Sequence, residues 1–441
     1  MSSTEVIGDR FRTTVRALNH RNFRLFFSGQ LVSLIGTWMQ SVAQAWLVYR
    51  LTDSVVLLGA VGFAGQIPVF LLSPIGGAIA DQHSRHRILL ITQSLSMVLA
   101  LSLGLLTLGG MIEVWHIFLI AASMGTVNAF DIPTRQSFVY EMVGRADLQN
   151  AIALNSSMFN AARVVGPAVA GVLVSWVGEA WCFLINGTSY VAVLAGLLAM
   201  RLPAHVRVVS TDSPVQRILG GFRFVARTGP IRALLLLLAL VSFVAMPYTV
   251  LMPVFAREIL GGGARSLGML MGAAGVGALA GSITLASRRS VRGLGRWIAA
   301  AAAGFGASLV LFSFSRDLWL SILLLVPVGF TMVVQMAASN TLIQSMVPDE
   351  LRGRVMALYS MIFMGMAPLG SLLSGTIAEK VGAPMAVAIG GSVCMVGALV
   401  FFLRLPAHRF AAYRLLLTQQ MVGGDPAEEV TGTGADGLTA K

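Results

Sequence analysis

The pentapeptide Arg201-Leu-Pro-Ala-His205 occurs again, unchanged, as Arg404-Leu-Pro-Ala-His408, 203 residues later. With an offset of 204, Met142-Val143 aligns with Met346-Val347, and Ala153-Leu154 with Ala357-Leu358. Ser156 then meets Ser360, Gly166 meets Gly370, Gly171 meets Gly375 and Gly178 meets Gly382. Single matches among common residues carry no weight. A shared pentapeptide with a near-constant offset across two apolar segments does. The chain therefore reads as two homologous halves, the plan of many secondary transporters with a site near the membrane midplane.

The flanking sequence explains what repeats. Apolar segments run over 23–49, 55–80, 88–110, 115–135, 152–177 and 181–202. In the second half they run over 232–256, 267–287, 297–316, 319–345, 355–380 and 384–404. Each has about the 20 residues that a membrane-spanning helix needs. Runs such as Ala233–Met246, ALLLLLALVSFVAM, do not alternate as outer-membrane strands do. The expected fold is thus an all-α membrane protein of twelve spans in two six-helix halves. The expected organisation is a tail at 1–22, a first half at 23–203 and a linker at 204–231. A second half at 232–406 and a largely disordered tail at 407–441 follow. Across 441 residues only 11% are charged, against about 25% in soluble domains. That excludes both a soluble surface and a disordered chain.

The net charge of +12 could suggest nucleic acid, but placement decides otherwise. The basic residues are 29 arginines and two lysines, Lys380 and Lys441. With twelve spans, 25 of these 31 fall in the two tails and in every second loop. Basic residues stay cytoplasmic, so both termini are expected in the cytoplasm and no nucleic-acid partner is implied. Residues 1–22 lack an apolar core and read as a retained cytoplasmic tail. Cys182 and Cys394 lie in apolar runs and make neither a disulfide framework nor a metal site. Neither lysine sits in a Gly-Lys-Ser/Thr loop. No nucleotide cradle exists, so uphill transport needs an ion gradient or a separate subunit. His-x4-Asp and His-Glu-x-x-His are both absent, which argues against an enzyme. The segment Arg217–Arg232 is basic and partly amphipathic and suits the anionic leaflet surface.

Scarce charge makes its exceptions informative. Arg163 lies about 16 Å into the fifth segment, close to the midplane. A charge there faces a cavity or a partner. It either holds an anionic substrate or a carboxylate, or it hydrogen-bonds helix ends and stabilises the bundle. Its repeat mate is Ala367, so the symmetry of the fold does not require an arginine. Asp131 lies near the cytoplasmic end of the fourth segment, about 6 Å along the axis from Arg135. It is a gate partner of Arg85 or Arg135, a proton carrier, or a local turn residue. In the first segment Ser33, Thr37, Gln40 and Gln44 share one helical face. In the fifth, Ser156, Asn160 and Arg163 follow the same spacing. Polar rows disfavour lipid, so both stripes are expected to line a cavity. Gln66, Asn128, Tyr248, Gln335 and Asn340 are single polar positions that line it or bond between helices. Trp38, Trp46, Phe159, Met361 and Met364 are candidates for apolar contact.

The loop Gly77-Ala-Ile-Ala-Asp81-Gln-His-Ser-Arg85-His-Arg87 is similar to the signature between the second and third helices of the major facilitator superfamily. Ser84 and Gln82 stand where that signature usually has glycine and arginine. Gly166-Pro167-Ala-Val-Ala-Gly171 resembles the antiporter signature of its exporters, with Ala170 for one glycine. Residues 14–410 as a whole resemble the enterobactin-exporter-like, transmembrane secretion effector branch. The carriers are Ala17–Arg24, Asp131–Gln136, Asn160–Pro167 and Pro348–Arg354. The resemblance implies export of a small amphiphile, a siderophore or a drug, across the bacterial cytoplasmic membrane. It implies a proton gradient as the driving force, no cofactor, lipid as the surroundings and a single chain as a sufficient unit. Uptake by proton symport on the same fold is the alternative. Gly77, Asp81 and Arg85 are four apart and share a face if the helix extends that far. They then form a cytoplasmic latch, with Asp81 at the N-terminus of the eleventh helix near Val355 and Arg85 paired with an acid on the fourth. In the second half Gly277-Ala-Leu-Ala-Gly281 has no acid, so such a latch is asymmetric.

Overall fold

In hydrocarbon each backbone N–H and C=O must be satisfied inside its own segment, so apolar runs of this length become helices. The computed structural model of the protein describes residues 16–201 and 214–418, apart from 289 and 292. The spans are α1 (Arg21–Thr52), α2 (Val55–Gln82), α3 (Arg85–Leu108), α4 and α5 (together Val114–Val177) and α6 (Glu179–Leu198). After α7 (Pro214–Arg227) come α8 (Gly229–Ile259), α9 (Ala264–Ala286), α10 (Leu294–Phe314), α11 (Leu318–Met346), α12 (Asp349–Val381) and α13 (Ala383–Thr418). Among the described residues, eleven helices are long and apolar enough to cross a membrane. One of them, Val114–Val177, has 64 residues and would run about 96 Å if straight, three times the hydrocarbon thickness. It is broken at Gly144, whose φ of 68° and ψ of −177° are not helical. That region of backbone space is open essentially to glycine alone. The break separates α4 (114–143) from α5 (145–177), which makes the count consistent with twelve crossings.

The break is narrower than the sequence suggests. Charged residues 136–151 are not an open turn; they continue both helices up to Gly144. Glu141, Met142, Ala146, Leu148 and Gln149 are all strong helix formers. Hydropathy registers only the part of a helix that lipid covers. The same holds at the end of the chain, where α13 runs through Pro406 to Thr418 rather than yielding to a tail at 407. The expected tails at 1–15 and 419–441 and the linker residues 202–213 lie outside the described residues.

The internal repeat is visible in the packing. Gly178 joins α5 to α6 with φ 88° and ψ 172°, and its repeat mate Gly382 joins α12 to α13 with φ 85° and ψ 153°. Each N–H returns to a carbonyl four residues back, Val174 and Ala378. Gly171 on α5 lets the backbone of α9 approach: a Cβ there would lie 3.0 Å from the Cα of Gly268. Its mate Gly375 on α12 does the same toward Val55 on α2, where a Cβ would lie 2.9 Å from the carbonyl oxygen. The halves thus meet along two pseudo-symmetric seams, α5 with α9 and α12 with α2. Gly59 on α2 tightens the second seam, since a Cβ there would sit 2.5 Å from the carbonyl oxygen of Ser371.

α7 packs on the second half at the arginine-rich end. Gly220 and Gly221 lie against Arg354 of α12, and Val225 is buried. The basic segment therefore spends part of its apolar face on protein. α8 is irregular, with π-helical turns at Val241–Ala245 and Phe255–Ile259 and prolines at 247 and 253. Such turns mark functional bends more often than ordinary helix does.

Candidate functional site

Between the halves lies a cavity of about 510 Å³. α1 supplies its longest wall. Ser33, Thr37, Gln40 and Gln44, which the 3.6-residue period puts on one face, all line it. Gln66 of α2, Asn128 of α4, Arg163 and Pro167 of α5 and Tyr248 of α8 line it as well. Trp38, Met246 and Met271 add apolar surface. Polar side chains here are stable because they face this space rather than lipid.

Three positions fall elsewhere. Asn160 is not a lining residue; its Nδ2 donates to the carbonyl of Ser156 at 2.9 Å, one turn back. Gln335 is fully buried in α11, away from the cavity. Asn340 accepts from Gln344 Nε2 on the same helix and is also absent from the lining. Gln335 and Asn340 are single polar residues in apolar runs and carry no rotational reference, so their faces cannot be read. The expected α5 stripe fails differently: of Ser156, Asn160 and Arg163 only Arg163 lines the cavity, and Asn160 bonds back along its own helix. The four-residue stripe of α1 lines it throughout.

The wall also holds residues that the sequence reading passed over. Gln93 and Ser96 of α3 and Asn186 and Tyr190 of α6 line the cavity. Asn186 Nδ2 donates to Gln40 Oε1 at 2.7 Å, and Tyr190 stands beside Thr37, Ser96 and Asn186. The signal was present as two more pairs of polar residues at helical spacing, three and four apart. Asp131 is buried within this cluster. Thr92 Oγ1 donates to its Oδ1 at 2.9 Å and Gln93 Nε2 at 2.7 Å. Arg135 Nη2 lies 3.3 Å from Oδ2. Asp131 and Arg135 both reach the cavity edge. Of the two arginines considered for Asp131, the partner is Arg135.

Arg85 pairs with Glu141 near the end of α4, an acid on the fourth helix as expected. Asp81 stands 3.6 Å from Arg85. The two do not share a helical face, because α2 ends at Gln82 and α3 begins at Arg85. The close helix approach in this signature is made at Gly76 and not at Gly77. A Cβ on Gly77 would meet only Pro133 at 4.0 Å, whereas Gly76 packs directly on the Ala129 carbonyl. Gly166 packs on α1, where a Cβ would lie 2.5 Å from Trp38 Cβ, and Gly171 packs on α9.

At the arginine-poor end the cavity is sealed. Beyond the two glycine seams, Arg257 Nη1 donates to Asp53 Oδ1 at 2.6 Å, and the Tyr49 hydroxyl donates to Glu258. Both contacts tie α1 to the second π-helical turn of α8. Arg50 Nε donates to Glu179 Oε1 at 2.7 Å within the first half. On the opposite side the lining reaches Gln30 and Arg135, toward the arginine-rich end.

Comparison with known proteins agrees with this architecture. The family model described as transmembrane secretion effector matches residues 12–422. A staphyloferrin A transporter of Staphylococcus aureus is 27% identical over 384 residues, 86% of this chain and 95% of that protein. An enterobactin exporter of Shigella boydii is 24% identical over 394 residues, 89% of this chain and 94% of that one. A bacterial homologue of the human lysosomal transporter Spinster, in an inward-facing and unoccupied state, superposes with a TM-score of 0.65 at 17% identity. It covers 92% of this chain and 99% of that chain. These proteins are transporters, not enzymes. The chain belongs to the transmembrane secretion effector family of the major facilitator superfamily, and it is a multi-pass membrane transporter.

Proposed function

We propose that this transporter exports a small amphiphilic molecule across the bacterial cytoplasmic membrane by alternating access, in exchange for protons. The observation that carries this reading is the cavity itself. It lies between the two halves, mixes polar and apolar lining, is sealed at one end and extends toward the other. The arginine bias assigns that other end to the cytoplasm, so the cavity loads from the cytosol in this state. Rocking of the two halves about the glycine seams exposes it to the far side. The enterobactin exporter among the relatives supports the outward direction. The absence of a P-loop lysine supports a gradient as energy source. Asp131 is the acid in the cavity wall and the candidate to carry the proton.

Everted membrane vesicles test the reading. Labelled enterobactin, staphyloferrin A and a cationic dye are offered with an inside-acid gradient. Accumulation that an uncoupler abolishes is the expected result. Accumulation only in right-side-out vesicles would establish uptake instead.

A further inference from the structure

Three charged residues line the cavity: Asp131, Arg135 and Arg163. The first two pair with each other. Arg163 is left over. Its guanidinium offers five N–H donors, yet among the described residues its polar contact is the Met332 sulfur at 3.8 Å. A thioether is a weak acceptor. The guanidinium also lies 5.7 Å from the centroid of the Trp38 ring, and that ring is held edge-on by Phe159 at 5.6 Å. Side-chain packing surrounds Arg163, and the part that is accessible is reached from the cavity.

No carboxylate among the described side chains pairs with it. Among residues whose side chains are described, Asp53 pairs with Arg257, Glu141 with Arg85, Asp147 with Arg16 and Glu179 with Arg50. Asp81 stands beside Arg85, Glu258 takes Tyr49, Glu113 takes Trp115 and Asp317 caps α11. Glu379 is exposed near the far end of α12. An uncompensated cation near the midplane is costly, and a bound counter-charge lowers that cost. Nor does the fold require this arginine, since the repeat mate is Ala367.

We propose that Arg163 is the receptor for a carboxylate, and that the transported molecule is an organic acid with a flat apolar body resting against Trp38. A carboxylate matches the guanidinium fork in bidentate fashion. Gln40, Gln44, Gln66 and Asn128 are placed around the same space to bond further oxygen or nitrogen atoms of the ligand. This inference rests on the cavity being the transport site.

The test uses the purified full chain in lipid nanodiscs and a matched fluorescent series. Dansylglycine carries a carboxylate, its methyl ester is neutral and dansylcadaverine is a cation. Binding is read by energy transfer from tryptophan to dansyl. The expected result is acid binding at least tenfold tighter than ester or amine. Arg163→Gln abolishes that preference, and Arg163→Lys retains part of it because the charge stays and the fork is lost. Equal binding of acid and ester, tighter binding of the amine, or the same preference in Arg163→Gln would overturn the proposal. So would thermal stabilisation by chloride with no dansylglycine binding. Should Arg163→Gln not fold, the wild-type acid-to-ester ratio and the Lys variant decide. The assay applies no gradient, so failed vesicle export counts against the function reading and leaves this binding result standing.

Discussion

Asp131 shows how little depth alone says about a charge. Its position near the end of the fourth segment suits a gate. Its surroundings are those of a buried carboxylate solvated by protein, with two neutral donors on one oxygen and Arg135 at the other. Neighbouring Gln93 and Ser96 lead toward Tyr190 and the polar face of α1. If this carboxylate exchanges protons, Asp131→Asn keeps an acceptor for Gln93 and cannot take part in the exchange. Gradient-driven flux in proteoliposomes is then expected to fall at least tenfold, on the order of the 1.4 kcal/mol that a factor of ten represents, while substrate counterflow persists. Flux that still responds fully to the pH gradient would remove Asp131 from the coupling path. At this scale the sequence identified Asp131 and Arg163 because charges are rare in the spans. Of their partners only Arg135, four residues from Asp131, was legible. Thr92 lies 39 residues from Asp131, and Met332 lies 169 residues from Arg163.

At the scale of elements, two joints stand out. Gly144 divides α4 from α5 with a backbone that other residues reach only at a cost of about 1–3 kcal/mol. Gly144→Ala should lower the melting temperature in detergent, with a smaller effect from substitution at Gly353, where a Cβ meets open space and φ is ordinary. Just beyond the joint, Asp147 holds the short helical turn Arg16–Asn19 against the start of α5. His20 Nε2 lies 2.8 Å from its Oδ2, and Arg16 donates to Oδ1. The His20 bond, aided by Arg16, holds the Asp147 carboxyl below its usual range. A depressed pKa in the folded state means that the clamp contributes stability above the unfolded value, about 4, and loses it as pH falls through the folded value. Asp147→Asn should therefore lower the melting temperature slightly at neutral pH, with the difference shrinking well below pH 4. A constant difference across that range would show that the carboxylate charge plays no part.

At the scale of the whole molecule, alternating access requires that the contacts sealing the arginine-poor end be reversible. The seal has two kinds of part. Gly171, Gly268, Gly59 and Gly375 allow close backbone approach, which is strong only at full contact. Asp53 with Arg257 and Tyr49 with Glu258 add a partly exposed polar latch on the bent end of α8. An ion pair of this exposure contributes only about 0.2–1 kcal/mol, a suitable magnitude for a contact that the proposed alternating access would break in every cycle. Reversing the pair as Asp53→Arg with Arg257→Asp should keep closure near wild type, while either single change should favour the open state by two- to fivefold. Cysteines placed across the seam and scored for crosslinking would read that equilibrium. Loss of closure in the double variant equal to the sum of the singles would mean that the pair does not act as a unit.

The amino-acid sequence by itself determined the membrane class, the two-fold internal repeat and the polar face of α1. Each depends on properties local in the chain: apolar length, a recurring pentapeptide and the helical period. It also singled out Arg163 and Asp131, because charge within lipid-depth segments is costly and therefore rare. Tertiary structure alone decided that Asn160, Gln335 and Asn340 stand apart from the cavity, that Asn186 and Tyr190 belong to it, and that Gly76 rather than Gly77 takes the close contact. It alone left Arg163 without a carboxylate partner among the described side chains. The physical reason is the same in each case. Helical period fixes relative angle along one helix, whereas which face turns inward depends on rotations and approaches among helices far apart in the chain.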